Sequence, residues 1–257
     1  MTEPPDGLRQ RLLAGNLLAG CLVKTGSHQV VEVLGHAGLD LVMLDAEHAP
    51  FGIETLDRAL VGAAATGLPA LVRVPGSDSP LISACLDAGA IGIVVPHVQS
   101  AAEAAQVVAA ARFTAGLRGV SPSGRAANYG GMTVAQFLAW SDHRTIVCCQ
   151  IEDRAGLDQV DAICAVPGVD CLLVGRTDLM VSLGAASLVD PPVEAAVARI
   201  AAAARPRGVA LAIFLPTPAE IVKFRQLGFS IFLCGSDQSL LRQGAVAIVA
   251  ARNAALQ

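Results

Sequence analysis

Two acidic residues stand where apolar, strand-like runs end: Glu152 in the segment QIED and Asp178 in GRTDL. If these runs are neighbouring parallel strands, both carboxylates project from the same edge of the sheet towards one point. Without a cation their charges would repel, and one would take up a proton. Mg²⁺ and Mn²⁺ favour such oxygen ligands and Co²⁺ is also compatible, so the pattern predicts a divalent metal site. The alternative is a pair of isolated ion-pair or capping residues, and Asp178 would suit a helix N-cap.

A second group of polar residues ends the predicted strands that come earlier in the chain. LDAEHAP offers Asp45, Glu47 and His48, and LVRVPG offers Arg73. A carboxylate beside His48 would fix its tautomer and raise its basicity, as a general base requires. The guanidinium of Arg73 suits a ligand carboxylate or an oxyanion; its alternative role is a salt bridge to Asp45 or Glu47, and the two roles can coexist. A histidine without such neighbours in sequence, such as His97, is more often structural or exposed.

The elements that would position these residues are eight apolar runs separated by helix-like segments. The predicted strands are Leu18–Val23, Leu41–Asp45, Ala70–Val74, Ile91–Pro96, Ile146–Ile151, Cys171–Gly175, Val209–Leu215 and Ile231–Gly235. Strict alternation of strand and helix predicts a parallel sheet with right-handed crossovers. Eight repeats in 257 residues favour closure into an α/β TIM (β/α)₈ barrel over an open sheet. Because no linker or composition shift divides the chain, a single domain is expected over residues 1–257.

The segments between the predicted strands include six predicted helices. These are Glu54–Thr66, Pro80–Ala88, Ala101–Arg112, Leu157–Ala165, Val193–Ala204 and Ala219–Leu227. The Gly- and Ser-rich stretch Phe113–Thr133, which precedes a short predicted helix near Val134–Trp140, is long enough for a functional or mobile loop. The last segment, Asp237–Ala255, is helix-like and nearly all apolar or small. It is expected to be the eighth barrel helix or a helix buried against another subunit.

The composition argues against several other classes of protein. A net charge of −4 with scattered Lys and Arg leaves no basic stripe for nucleic acid. No run of about 18 apolar residues indicates a membrane span, and the polar N-terminus is unlike a signal peptide. The seven cysteines form no CxxC pair and no cluster with zinc spacing. We therefore expect reduced, mostly buried thiols in a cytoplasmic protein that binds neither nucleic acid nor membrane.

Six segments together resemble the HpcH/HpaI family of class II pyruvate aldolases, within the phosphoenolpyruvate/pyruvate barrel superfamily. In chain order they are LDLVMLDAEHAPF, LVRVPG, CLDAGAIGIVVPHVQ, GLRGVSPSGRA, QIEDRAG and VDCLLVGRTDL, followed by a terminal GSD. Each is weak alone, but their order and spacing over nearly the whole chain are specific. The resemblance implies a metal-dependent carbon–carbon lyase that reversibly cleaves 4-hydroxy-2-keto acids to pyruvate and an aldehyde.

The resemblance also implies roles for individual residues around the metal. Glu152 and Asp178 would be its protein ligands, and the keto acid would chelate the same ion. The implied substrate contacts are the side chains of Gln150 and Arg73 and the backbone N–H groups from Gly175 through Thr177 to Asp178. Those N–H groups would begin a helix, where anions are bound readily.

For proton transfer the resemblance implies His48 as the acid/base, assisted through water by Asp87, with Asp45 ordering the pocket. Asp87 lies late in a helix-like segment, which leaves open that it acts across a subunit contact. Family members are typically homohexamers, arranged as trimers of dimers, that exchange their terminal helices. That arrangement would suit the apolar segment Asp237–Ala255.

One departure from the family pattern leaves a second enzymatic function open. The family usually has a proline and a small residue before the Asp-Leu of the sixth strand, where this chain has Arg176 and Thr177. Arg176 would either add a cation to the pocket or point to solvent, and Arg125 in SPSGRAANYG could border the pocket as well. Two such arginines would suit a polycarboxylate substrate. The siderophore-type citrate synthases of the same family, which join an acetyl donor to oxaloacetate, are therefore the alternative.

Two other classes of function also remain open. A Schiff-base aldolase would need a lysine, and the chain has only Lys24, after the first strand, and Lys223, in a predicted helix. A barrel that only binds a ligand would need no clustered charges, and those of His48, Arg73, Glu152 and Asp178 argue against it.

Overall fold

Each apolar run predicted as a strand forms one, and parallel pairing of neighbours closes the sheet. The computed structural model describes residues 7–78 and 80–256, in which β1 to β8 form a closed barrel in sequence order. The strands are β1 (Leu18–Val23), β2 (Leu41–Asp45), β3 (Ala70–Arg73), β4 (Gly92–Val95), β5 (Ile146–Ile151), β6 (Cys171–Val174), β7 (Ala210–Leu215) and β8 (Ile231–Ser236). Each predicted strand begins and ends within one residue of the observed strand. The predicted (β/α)₈ barrel is confirmed, while the domain limits 1–257 include residues 1–6, 79 and 257, outside the described ranges.

Helices alternate with the strands, as expected for a parallel barrel. They are α1 (Leu8–Leu13), α2 (His28–His36), α3 (Ile53–Thr66), α4 (Leu81–Asp87), α5 (Ala101–Ala111), α6 (Val134–Arg144), α7 (Arg154–Asp158), α8 (Val160–Cys164), α9 (Arg176–Leu183), α10 (Pro191–Ala204), α11 (Ile221–Gln226) and α12 (Asp237–Ala254). The single helix predicted over Leu157–Ala165 is wrong. The chain forms α7 and α8 there, because Gln159 between them has φ −100° and ψ 6°, outside the helical region.

Alternate residues of each strand face two different layers of the core, as the period of two requires. In β2, Val42 and Leu44 pack with residues of the surrounding helices, whereas Leu41 and Met43 pack inside the barrel. The inner layer includes Leu8 and Leu12 of α1. This short helix therefore covers one end of the barrel, and the polar residues that follow the strands lie at the other end.

The predicted loop Phe113–Thr133 is partly ordered by its own small core. It contains a 3₁₀ turn, Arg125–Gly130, in which Ala127 is fully buried. Ala127 packs with Phe137 of α6, and the ring of Phe137 meets that of Phe113 edge to face at 5.2 Å. The loop is thus anchored against α6 at one side of the barrel.

The C-terminal helix α12 leaves the barrel soon after it begins. Asp237, its first residue, is buried and accepts hydrogen bonds from the backbone N–H groups of Lys24 and Thr25. Farther along, Leu241 and Ile248 are 78% and 74% exposed. The helix is therefore not packed along its own barrel like the others. Within residues 7–78 and 80–256, neither α12 nor any other helix is long and apolar enough to cross a membrane.

Candidate active site

The register of β2 and β3 places Asp45 directly beside Arg73. Arg73 Nε donates to Asp45 Oδ1 at 3.0 Å, and Nη2 donates to Oδ2 at 2.8 Å. Burial raises the pKa of Asp45, but the hydrogen bonds and charge of Arg73, the N–H of His48 and the charge of Lys24 outweigh it, so the pKa lies below 3.8. Lys24 Nζ is 3.4 Å from Asp45 Oδ2. Asp45 therefore stays ionised and fixes Arg73, which confirms the ion pair considered as its alternative role.

Glu47 and His48 follow in the turn after β2, which Asp45 holds together. Asp45 Oδ1 accepts from the backbone N–H groups of Glu47 at 3.3 Å and His48 at 3.1 Å. Glu47 Oε2 lies 3.2 Å from Arg73 Nη1 and 3.7 Å from His48 Nε2, yet it is buried without a hydrogen bond. The His48 ring is 55% exposed. His48 thus has the predicted carboxylate neighbour and an open side towards the barrel mouth.

Glu152 lies at the end of β5 and is 2% exposed. Its Oε1 accepts from the backbone N–H of His97 at 2.8 Å, and its Oε2 accepts from Gln150 Nε2. Burial raises the pKa of Glu152; the bonds from Gln150 and His97 oppose this and the negative charge of Asp178 adds to it, so the pKa lies above 4.5. That Glu152 and Asp178 together hold one metal ion stays a prediction.

Gly175 leaves room for the Glu152 side chain. Because Ile151 pairs with Val174, the next residues along β5 and β6 are Glu152 and Gly175. A Cβ on Gly175 would lie 2.6 Å from Glu152 Oε2 and 2.7 Å from Glu152 Cβ. The N–H of Gly175 donates to the carbonyl of Ile151 at 3.1 Å. That N–H is therefore engaged, and the role the structure gives Gly175 is to let the backbone approach the carboxylate.

His97 joins the site although no functional role was predicted for it. It follows β4 and has φ 53°, a left-handed conformation that is uncommon for a residue with a Cβ. Its Nδ1 is 3.3 Å from Glu152 Oε1, and its Nε2 is 3.8 Å from Glu47 Oε1. Ligand atoms of Glu47, His97 and Glu152 all lie within 4.8 Å of one another. The signal that would have found His97 is its position after β4, the same rule that identified Glu152 after β5.

Asp178 and Thr177 lie in the first turn of α9 and are exposed. The N-cap of this helix is Gly175, so the N-cap position considered for Asp178 is wrong; Asp178 is the third helical residue. The first intrahelical bond at this end runs from the N–H of Leu179 to the carbonyl of Gly175. The N–H groups of Arg176, Thr177 and Asp178 precede it and have no acceptor within the helix.

Asp87 and Arg125 are not brought to this mouth by their own chain. Asp87 Oδ1 pairs with Arg118 Nη2 at 2.5 Å, and Arg125 Nη1 pairs with Asp57 at 2.7 Å and donates to the carbonyl of Ala88 at 2.8 Å. Among the described contacts of Asp87 and Arg125, none involves a residue at the end of β2 or β5. The predicted assistance of His48 by Asp87 and the predicted pocket role of Arg125 stay predictions.

Arg176 neither adds a free cation to the pocket nor points to solvent, so both predictions for its side chain are wrong. Its side chain is 4% exposed, and Nη1 and Nη2 bind the two oxygens of Glu220 at 3.1 and 2.8 Å. The guanidinium also lies 4.7 Å from the ring centre of Phe224. Its charge is therefore neutralised by a residue beyond β7, 44 positions away in sequence.

Replacement of Gly175 by alanine tests the close approach to Glu152. The added Cβ cannot be accommodated unless Glu152 or the backbone shifts, so Gly175→Ala should lower the free energy of unfolding by about 1–3 kcal/mol, as overpacking does. Denaturant unfolding measures this loss. Gly119→Ala is the matched control, because a Cβ there meets nothing within 4 Å. Equal stability of the two variants would contradict the account.

Comparisons with known proteins agree with this geometry. A profile of the HpcH/HpaI aldolase/citrate lyase family matches residues 18–244. The 5-keto-4-deoxy-D-glucarate aldolase of Shigella boydii serotype 18 is 35% identical over 240 residues, 93% of either chain. A crystal structure of an HpcH/HpaI aldolase/citrate lyase family protein from Burkholderia cenocepacia J2315 is 37% identical, with a TM-score of 0.89 over 95% of this chain and 98% of that one.

A solved citrate synthase, SbnG, is also similar, at 26% identity with a TM-score of 0.87 over 98% of this chain and 99% of that one. The aldolase match is the more direct in sequence, since it has the higher identity. The predicted class of enzyme, a carbon–carbon lyase of the aldolase type, is confirmed by these relatives. The chain belongs to the HpcH/HpaI aldolase/citrate lyase family.

Proposed function

We propose that this protein is a metal-dependent pyruvate aldolase that reversibly cleaves 4-hydroxy-2-keto acids to pyruvate and an aldehyde. The observation that carries the proposal is the buried carboxylate of Glu152, which lies within 4.8 Å of a carboxylate oxygen of Glu47, the neighbour of Arg73 and His48. The negative charge of Asp178 acts on the same carboxylate. These groups supply the cation ligands, the fixed positive charge and the base that such a cleavage needs.

The residues at the mouth fit a divalent cation of the Mg²⁺, Mn²⁺ or Co²⁺ type. Glu152 and Asp178 would hold it, since both offer the carboxylate oxygens these ions favour. Two buried oxygens, Gln150 Oε1 and Glu47 Oε2, have no hydrogen-bond partner, which is costly unless another group completes the site. When bound, the cation supplies Lewis-acid polarisation of the substrate ketone and stabilises negative charge on its oxygen.

The chain's own groups orient the keto acid. Arg73 is held by Asp45 with Nη1 turned towards the mouth at Glu47, where it would face a keto-acid oxygen. Gln150 would contact a second substrate oxygen. The N–H groups of Arg176 and Thr177 at the start of α9 would bind the substrate carboxylate, since N–H groups and the helix dipole both favour an anion there.

His48 is the group we assign to proton transfer. Its ring would accept the proton of the substrate 4-hydroxyl while the C3–C4 bond breaks, which releases the aldehyde and leaves the enolate of pyruvate. The protonated ring then gives this proton to C3, directly or through a water, which completes the pyruvate methyl group and restores the base. In the reverse direction the same ring returns its proton to the new hydroxyl.

We also propose a chemical character for the half of the substrate that leaves as the aldehyde. The curated relatives are named for cleavage of a glucarate derivative, an acidic sugar chain. Lys24, 28% exposed beside Asp45, adds positive charge at the end of β1. We therefore expect a polar or acidic aldehyde half. Pairing of Arg176 with Glu220 and of Arg125 with Asp57 removes the argument from two free arginines for a citrate synthase.

Replacement of Glu152 tests the metal-dependent aldolase directly. Purified protein is treated with EDTA, resupplied with Mg²⁺, Mn²⁺ or Co²⁺, and assayed for pyruvate release from a panel of 4-hydroxy-2-keto acids. Cleavage should disappear with the chelator and return with metal, and Glu152→Gln should lower kcat/KM at least about a hundredfold. The control is Glu54→Gln, an 85% exposed residue that should change nothing. Chelator-resistant cleavage, or none by the wild type on any panel member, would contradict the proposal; oxaloacetate with an acetyl donor would then be assayed.

We further propose that the active enzyme is a homo-oligomer, a hexamer built as a trimer of dimers, in which α12 packs against a second subunit. The apolar side chains of α12 that its own barrel leaves exposed, Leu241 and Ile248, support this arrangement. In the oligomer Asp87 would reach the site of a neighbouring subunit. Its 39% exposure leaves it accessible for that role, and Arg118 holds its carboxylate in place.

Mixed oligomers test whether Asp87 acts in trans. Chains carrying Asp87→Asn and chains carrying Glu152→Gln, each nearly inactive alone, are coexpressed with different tags and purified together. Random pairing would restore a wild-type Asp87 and a wild-type Glu152 to about a quarter of the sites. Activity in the mixture should therefore exceed the sum of the two variants severalfold. A mixture no more active than that sum would place Asp87 outside the neighbour's site.

A further inference from the structure

We propose that His97 supplies a nitrogen ligand to the cation at Glu152, so that this site prefers Co²⁺ and Ni²⁺ over Mg²⁺. The inference rests on the proposed function, which places a cation at Glu152 and Asp178. It extends that function by adding an imidazole to a site otherwise made of oxygens.

The backbone at His97 is held in a conformation that brings both of its polar groups to Glu152. A φ of 53° costs free energy for a residue with a Cβ, and such strain persists where the surroundings impose it. In this conformation the His97 N–H donates to Glu152 Oε1 at 2.8 Å, and the ring Nδ1 approaches the same oxygen at 3.3 Å. An N–H and a ring nitrogen from one residue thus converge on one carboxylate oxygen.

The separation of Nδ1 and Oε1 fits two neighbouring ligands of one ion. Ligands about 2.1 Å from a small divalent cation and roughly at right angles to one another lie roughly 3 Å apart. The other ring nitrogen, Nε2, faces Glu47 Oε1 at 3.8 Å. A carboxylate behind a metal-bound histidine is a recurrent arrangement, because it orients the ring and raises its basicity. Glu47 is 11% exposed and stands where such a carboxylate would.

The competing partner of the ring, Asp153, is already engaged. Its Oδ2 lies 3.8 Å from His97 Nδ1, but it accepts from Gln99 Nε2 at 2.7 Å. Its Oδ1 accepts from the N–H of Gly156 at 2.8 Å as the N-cap of α7. Glu152 is therefore the carboxylate that shares an ion with His97.

An imidazole ligand changes which ions the site favours. Divalent ions bind nitrogen increasingly well from Mn²⁺ through Co²⁺ to Ni²⁺, whereas Mg²⁺ favours oxygen ligands and keeps its waters. A site with His97 as a ligand should therefore bind Ni²⁺ and Co²⁺ more tightly than an all-oxygen site of the same charge. Mg²⁺ should be nearly indifferent to the ring.

Titration calorimetry of the metal-stripped protein, with His97→Asn, measures this preference. Asparagine tolerates the left-handed backbone and keeps the N–H that binds Glu152, so the imidazole nitrogen is removed while the backbone contact is kept. Affinity for Ni²⁺ and Co²⁺ should fall at least about tenfold, since even residues that only support a metal ligand are worth 10–100-fold, while Mg²⁺ affinity stays within about threefold. His36→Asn, at an exposed histidine in α2, is the control and should leave all three affinities unchanged.

Pulsed electron paramagnetic resonance of the Mn²⁺-loaded protein gives a second readout. Coupling to an imidazole nitrogen should appear in the wild type and vanish in His97→Asn. Unchanged Ni²⁺ and Co²⁺ affinities in the variant, or an equal loss for all ions including Mg²⁺, would overturn the proposal. Failure of the proposed function is distinct, since the wild type would then bind no divalent ion and cleave no substrate.

Discussion

The carboxylate of Glu152 is almost completely removed from water, and a buried charge needs either an opposite charge or several hydrogen bonds. Asp45 solves the same problem with Arg73 and two backbone N–H groups, and its pKa falls. Glu152 has one N–H, one amide and the ring of His97 at 3.3 Å, but burial and the negative charge of Asp178 outweigh them, and its pKa rises. Within residues 7–78 and 80–256 no lysine or arginine is paired with Glu152. The mouth thus contains one carboxylate that the chain compensates and one, Glu152, that we propose is compensated by a bound cation.

Closure of the barrel brings these two carboxylates and their partners together in one site. The parallel register places Asp45 beside Arg73 and puts Glu152 next to Gly175, so residues distant in sequence meet at one end of the strands. Removal of one member of a buried ion pair costs about 3–5 kcal/mol, because the partner is left uncompensated. The Asp45–Arg73 pair therefore fixes the turn that carries His48, the residue we propose as the base.

The sequence predicted the strands and the charged residues at their ends, because an apolar run and the polar residue that ends it are local features. The role of His97 was not predicted because this histidine has no charged neighbour in sequence. Its partners, Glu47 and Glu152, follow other strands. The environment of Arg176 was predicted wrongly for the same reason. Its ion pair with Glu220 forms only because α9 packs beside the segment after β7. Pairing across elements, rather than local pattern, decides whether a charge faces the substrate or a partner.

A divalent cation bound at Glu152 in the barrel mouth is the feature on which the proposed chemistry depends. Crystals grown with Mn²⁺ and pyruvate, measured at a wavelength where manganese scatters anomalously, would reveal it. We expect one strong anomalous peak in contact with Glu152, with Asp178 and the His97 ring beside it and pyruvate oxygens completing the coordination. A peak elsewhere on the protein, or a pyruvate bound at the mouth with no peak at Glu152, would contradict it.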